Sequence, residues 1–81
     1  MKQWLKCDVK DGMFSDERTI IVHVKGNGSV EHFVPEGVVK IDGDSGFVSV
    51  DVLRRGDSTW VELPTSYGRA IPVDENQLTP A

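Results

Sequence analysis

The chain has 81 residues, enough for one domain with a small core but not for a deep enclosed cavity, since a chain of this size buries only about 60% of its unfolded surface. Thirteen acidic against nine basic residues leave a net charge of −4, which disfavours a partner held mainly through phosphates; 38% hydrophobic and 27% charged residues mark a globular rather than a disordered chain. No apolar run approaches the roughly 18 residues of a membrane span, and the N-terminal MKQWLKCDVK lacks the apolar stretch and cleavage site of a secretory signal, so a cytoplasmic setting is expected.

Residues 2–9 alternate, with Leu5, Cys7 and Val9 on one side and Lys2, Trp4, Lys6 and Asp8 on the other, which predicts a first strand with Trp4 on its outer face. Cys7, the single cysteine, allows no internal disulfide and reads as a small buried hydrophobe. In the loop 10–17, Asp11-Gly12 marks a turn, and Met13 and Phe14 follow it. Large apolar side chains are costly to expose, so Phe14 is expected to fold back and cap one end of the core.

Residues 19–25 and 29–34 are rich in β-branched side chains and flank Gly26-Asn27-Gly28, the pattern of a hairpin. A two-residue turn would set His23 opposite His32. A three-residue loop with Gly28 in the left-handed conformation would set Val24 opposite Val30, Val22 opposite His32 and Ile20 opposite Val34. The second register separates apolar from polar residues better and is the expected one. Residues 35–37 are a turn signal, 38–41 a short strand, and 42–46 a second polar turn.

The clearest pattern is the hairpin at residues 46–63. Val48, Val50 and Val52 recur at period two, as do Thr59, Val61 and Leu63, and Gly56-Asp57 supplies the turn between them. Val52 then opposes Val61 and Val50 opposes Leu63 on one face, while Leu53 opposes Trp60 and Asp51 opposes Glu62 on the other. A slip of one residue would mix the faces, which a half-buried sheet does not tolerate. After the loop 64–68 comes a strand at 69–73, ended by Pro72, then a single 3₁₀ turn at 75–78 capped by Asp74, with Leu78 returning to the core. Helical periodicity is not sustained anywhere. The expectation is an all-β domain at residues 1–78, a small barrel of five to six short antiparallel strands with one 3₁₀ turn near the C-terminus, followed by a frayed tail at 79–81.

Residues 58–78 (STWVELPTSYGRAIPVDENQL) resemble the C-terminal half of an SH3 domain, in which a Trp-bearing strand leads through a tight turn to a Gly-x-x-Ile-Pro strand end, a one-turn 3₁₀ helix and a final apolar residue. The counterparts are Trp60, Gly68, Ile71, Pro72 and Leu78. The tyrosines that line the family's proline-rich ligand groove have no counterparts, so the resemblance implies the SH3-like barrel rather than that ligand.

Chemistry-bearing patterns each have a plainer explanation. His23 and His32 make a poor metal site without a third ligand, and the expected register puts them on opposite faces. Asp42-Gly43-Asp44-Ser45-Gly46 begins like a calcium loop, but its twelfth position is Leu53 where a bidentate Glu is required. Arg55-Gly56-Asp57 matches an adhesion tripeptide, yet Gly-Asp is also what a tight hairpin needs. The serines lack a nucleophile motif, and Cys7 lacks an activating environment. Neither enzyme activity, a metal nor a cofactor is expected. What remains is surface: Trp4, Leu53 and Trp60 face away from the valine core, with Tyr67 in the following loop; such a cluster would form a protein-binding patch, unless the barrel curls so that Trp60 and Trp4 cover an end of the core, and alternation along one strand does not choose between the two. The alternatives are a nucleic-acid-binding barrel, disfavoured by the acidity, and a homo-oligomer joined through sheet edges.

Overall fold

The computed structural model describes residues 2–26, 28–65 and 70–80. Eight strands form one antiparallel sheet that curls into a half-barrel: β1 (Lys2–Asp11), β2 (Glu17–His23), β3 (Ser29–Pro35), β4 (Val39–Asp42), β5 (Ser45–Arg55), β6 (Ser58–Glu62), β7 (Ala70–Pro72) and β8 (Leu78–Pro80). The all-β expectation holds. Among the described residues six strands form the continuous path β3-β2-β1-β5-β6-β7, and the short β4 and β8, of four and three residues, pair with the flanks of β5 and β1. A 3₁₀ turn lies at Glu75–Gln77 as expected, and another at Glu36–Val38 follows Pro35. Among the described residues no helix is long and apolar enough to cross a membrane.

The long strands β1 and β5 hold the sheet. They pair with each other over Lys2–Cys7 and Gly46–Asp51. The other edge of β1 takes β8 at Gln3–Leu5 and β2 at Asp8–Asp11, and the other edge of β5 takes β4 at Ser45–Val48 and β6 at Asp51–Arg55. The sheet curls around a core built from alternate residues of these strands. Leu5, Ile20, Val22, Val48, Val50 and Val61 are completely buried. Burial of each such side chain contributes about 1.5–3 kcal/mol, so this row outweighs any surface contact in the domain.

The central hairpin has the expected register, with Asp51 opposite Glu62, Val52 opposite Val61 and Leu53 opposite Trp60. Gly56 has φ +59°, as a two-residue turn with glycine at its first central position requires. The β2–β3 hairpin differs from both expected registers: Val22 opposes Val30, Ile20 opposes His32 and His23 opposes Ser29. Gly26 and Gly28 both take positive φ, and the Val24 N–H donates to the Gly28 carbonyl at 3.2 Å, which centres the turn on Gly26. The displacement is two residues, so the faces are preserved and His23 and His32 still point to opposite sides.

Two further expectations are corrected. Phe14 does not cap the core; it is 66% exposed, because β1 continues to Asp11 and the short connection turns back at once, with the Glu17 N–H bonded to the Phe14 carbonyl at 3.1 Å. The 79–81 tail is not frayed at its start: Thr79 and Pro80 pair with Trp4 and Gln3 in β8, and Ala81 lies outside the described residues. The C-terminal segment is steered there by the 3₁₀ turn at Glu75–Gln77, where the Gln77 side-chain carbonyl accepts from the Asp74 N–H at 2.9 Å. Gln77 Nε2 also donates to the His23 carbonyl at 3.3 Å, and the Lys25 N–H donates to the Pro72 carbonyl at 2.9 Å, which draws the end of β2 toward β7.

Glu75 ties the same turn to the central hairpin by accepting from the Thr59 hydroxyl and the Arg54 guanidinium. The Thr59 hydrogen bond, with Arg54 second, holds the Glu75 carboxyl below the ordinary glutamate value. A carboxyl lowered on folding stabilises the fold while it is ionised, a contribution present above the unfolded pKa and lost as pH falls through the folded one. Urea midpoints measured across pH are therefore expected to show Glu75→Gln less stable than the parent at neutral pH, with the gap closing in acid; a gap that is constant with pH would contradict this role.

Gly12 tests the β1–β2 connection. A Cβ there would lie 2.5 Å from the Glu17 carbonyl oxygen and 2.9 Å from the Arg18 nitrogen, both backbone atoms that no side-chain rotation can move aside. Gly12→Ala is expected to destabilise the domain by about 1–3 kcal/mol in urea titration, whereas Gly37→Ala, with open space around it, is expected to be near neutral.

Candidate interaction surface on the outer face

Alternation along β1, β5 and β6 sends Lys2, Trp4 and Lys6, then Phe47, Ser49, Asp51 and Leu53, then Trp60 and Glu62 to the outer face. Trp4, Leu53 and Trp60 therefore share the face that their positions in the sequence imply, but they do not form one cluster. Trp4 sits opposite Ser49, four residues along β5 from Leu53, a separation of about 13 Å at strand spacing. Between them runs a charged row: Lys2 and Asp51 are opposite each other and joined at 3.2 Å, and Glu62 opposes Asp51 from the other side. Tyr67 lies outside the described residues.

The two ends of this face differ in character. At one end Lys40, on β4, places its Nζ 4.7 Å from the centre of the Trp4 ring and 5.1 Å from that of Phe47. This cation–π contact contributes about 0.5–1 kcal/mol at an exposed site, and its stem shields the indole, leaving Trp4 half-buried. At the other end Trp60 lies between its strand partners Leu53 and Pro72, which half-bury it in turn. Both tryptophans are thus partly covered by neighbours on the outer face, and neither belongs to the core. Leu53 remains 37% exposed and, with Arg55, Trp60 and Ala70, lines a hollow of about 180 Å³. Arg54 is held by Glu75, while Arg55 forms no ion pair among the described residues.

Cys7 is buried, and burial, aided by the charge of Asp8, pushes its thiol up to about 12. A thiol held so far from ionisation packs as an apolar side chain and offers no thiolate near neutral pH. His23 Nε2 lies 3.4 Å from Asp8 Oδ2 on the outer face. Among the described residues no three His, Cys, Asp or Glu side chains converge as a metal site would require.

The exposed apolar residues Met13, Phe14, Phe33 and Ile41 were not among the candidates drawn from sequence. Phe33 was legible there, because once Ile20, Val22, Val30 and Val34 face inward, the intervening Phe33 must face out. Met13 and Phe14 carried no such signal, since a loop has no periodicity to read. Compared with known proteins, the chain matches no family model, no curated protein and no solved structure.

Proposed function

We propose that the chain is a non-enzymatic, SH3-like small barrel that binds a protein partner through the hollow beside Leu53 and Trp60. The observation that carries this reading is a half-buried tryptophan beside an exposed leucine and an arginine with no ion pair among the described residues, around a hollow of about 180 Å³. Pockets for small-molecule ligands span about 300–1,000 Å³, so this one suits a single inserted side chain of a larger partner. Tryptophan and arginine are the residues on which binding energy concentrates at protein interfaces, and Arg55 offers a fork of donors for a carboxylate or a backbone carbonyl at the rim. The net charge of −4 weighs against a nucleic-acid backbone in the same place. Trp4 is not part of this surface, since the Lys2, Asp51 and Glu62 row separates it and Lys40 covers it.

A photo-crosslinking residue placed at Leu53 is expected to trap a protein in lysate of the native cell, and one at Asp44, in the turn between β4 and β5, to trap none. Trp60→Ala should abolish the Leu53 crosslink while leaving the circular dichroism spectrum of the domain unchanged. Equal crosslinking from both positions, or trapping of nucleic acid instead of protein, would overturn the assignment.

A further inference from the structure

A second surface is carried by β3, the end strand of the sheet, whose outer edge has no strand partner among the described residues. The Val24–Gly28 bond fixes which of its backbone groups are committed: Val30, His32 and Val34 bond to β2, so the N–H and C=O groups of Ser29, Glu31 and Phe33 point to the free edge. Beside that edge a hollow of about 320 Å³ opens between Phe33, Val34 and Pro35 on one side and Pro64 and Thr65 on the other, with Asp16 and Glu17 at its rim. Phe33 is 52% exposed there.

We infer that this edge accepts an extended segment of a partner protein by strand addition, and that the segment alternates apolar residues with lysine or arginine. The alternation follows from the two faces of β3. Inward, Val30 is only half-buried and Val34 lines the hollow, with the half-buried imidazole of His32 between them, so the added strand's inward residues cover a mainly apolar surface. Outward, Glu31 and Glu17 present carboxylates, Asp16 stands at the rim, and neither Asp16 nor Glu31 has a cationic partner among the described residues. Arg18, the nearby cation, is engaged by Glu36 at 3.3 Å. A basic segment therefore meets complementary charge, while a second copy of this chain would bring the same acids to a molecule already carrying −4. Main-chain hydrogen bonds supply the affinity in this mode, and the alternate side chains supply the selectivity.

The test uses the full chain, labelled for NMR, and two capped heptapeptides, one alternating valine with lysine and the other valine with glutamate. The lysine peptide is expected to slow amide exchange at Glu31 and Phe33 about tenfold or more, with binding that weakens as salt is added, and the glutamate peptide to leave both amides unchanged. Glu31→Pro removes one edge donor without touching a bond to β2 and is expected to abolish the protection. Glu31→Lys keeps the donor, and is expected to weaken the lysine peptide several-fold; should the proline variant fail to fold, this arm decides alone. Unchanged exchange at Glu31 and Phe33, equal protection by the glutamate peptide, or protection that grows with protein concentration in the absence of peptide would each overturn the inference.

Discussion

The domain depends on the pairing of β1 with β5 and on the fact that each must serve two further strands along its remaining edge. The sheet they organise curls, and the inward-facing Leu5, Val48 and Val50 share one core with Ile20, Val22 and Val61. At Gly46, opposite Cys7, a Cβ would lie 2.6 Å from a Val9 methyl and 2.9 Å from the Cys7 carbonyl oxygen, so only a residue without a side chain fits where the β1–β5 pairing ends. Each ladder hydrogen bond contributes about 0.5–1.5 kcal/mol net, less than the burial of one valine or leucine, so the curl is driven by the core and the ladder follows it.

The strand register decides the outer face, where each tryptophan is covered by what the neighbouring strand places beside it: Lys40 over Trp4, Leu53 and Pro72 against Trp60. The ion pair of Lys2 and Asp51 is solvent-exposed and contributes about 0–1 kcal/mol to stability. Its importance is spatial, since it interrupts what would otherwise be a continuous apolar stripe from Trp4 to Leu53. The outer face therefore carries separate apolar areas with a charged divider between them.

An open half-barrel has ends, and the two ends of this sheet are treated differently. At β7 the Pro72 carbonyl is taken by the Lys25 N–H, and Thr59 bonds Val73 on the way to the Glu75 clamp. At β3 the edge is guarded by the Glu31 charge and closed by Pro35, devices that discourage indiscriminate pairing while leaving the donors of Glu31 and Phe33 in place. An edge protected by negative charge is selective by construction, because like-charged strands are repelled and basic ones are not.

The sequence by itself determined the all-β class and the inward set of nearly every strand, because alternation at period two is a local property that survives any bending of the sheet. It also determined the register of the central hairpin: a two-residue Gly56-Asp57 turn leaves no freedom in the pairing. The β2–β3 register needed more, since two glycines within three residues permit several loop geometries that all keep Ile20 and Val22 inward. Only the tertiary structure decided that Phe14 stays outside, that Thr79 and Pro80 form a strand on β1, and that Trp4 stands apart from Leu53 and Trp60. Those outcomes depend on which strands become neighbours, and contacts between residues as distant as Trp4, Ser49 and Thr79 exist only once the chain has curled.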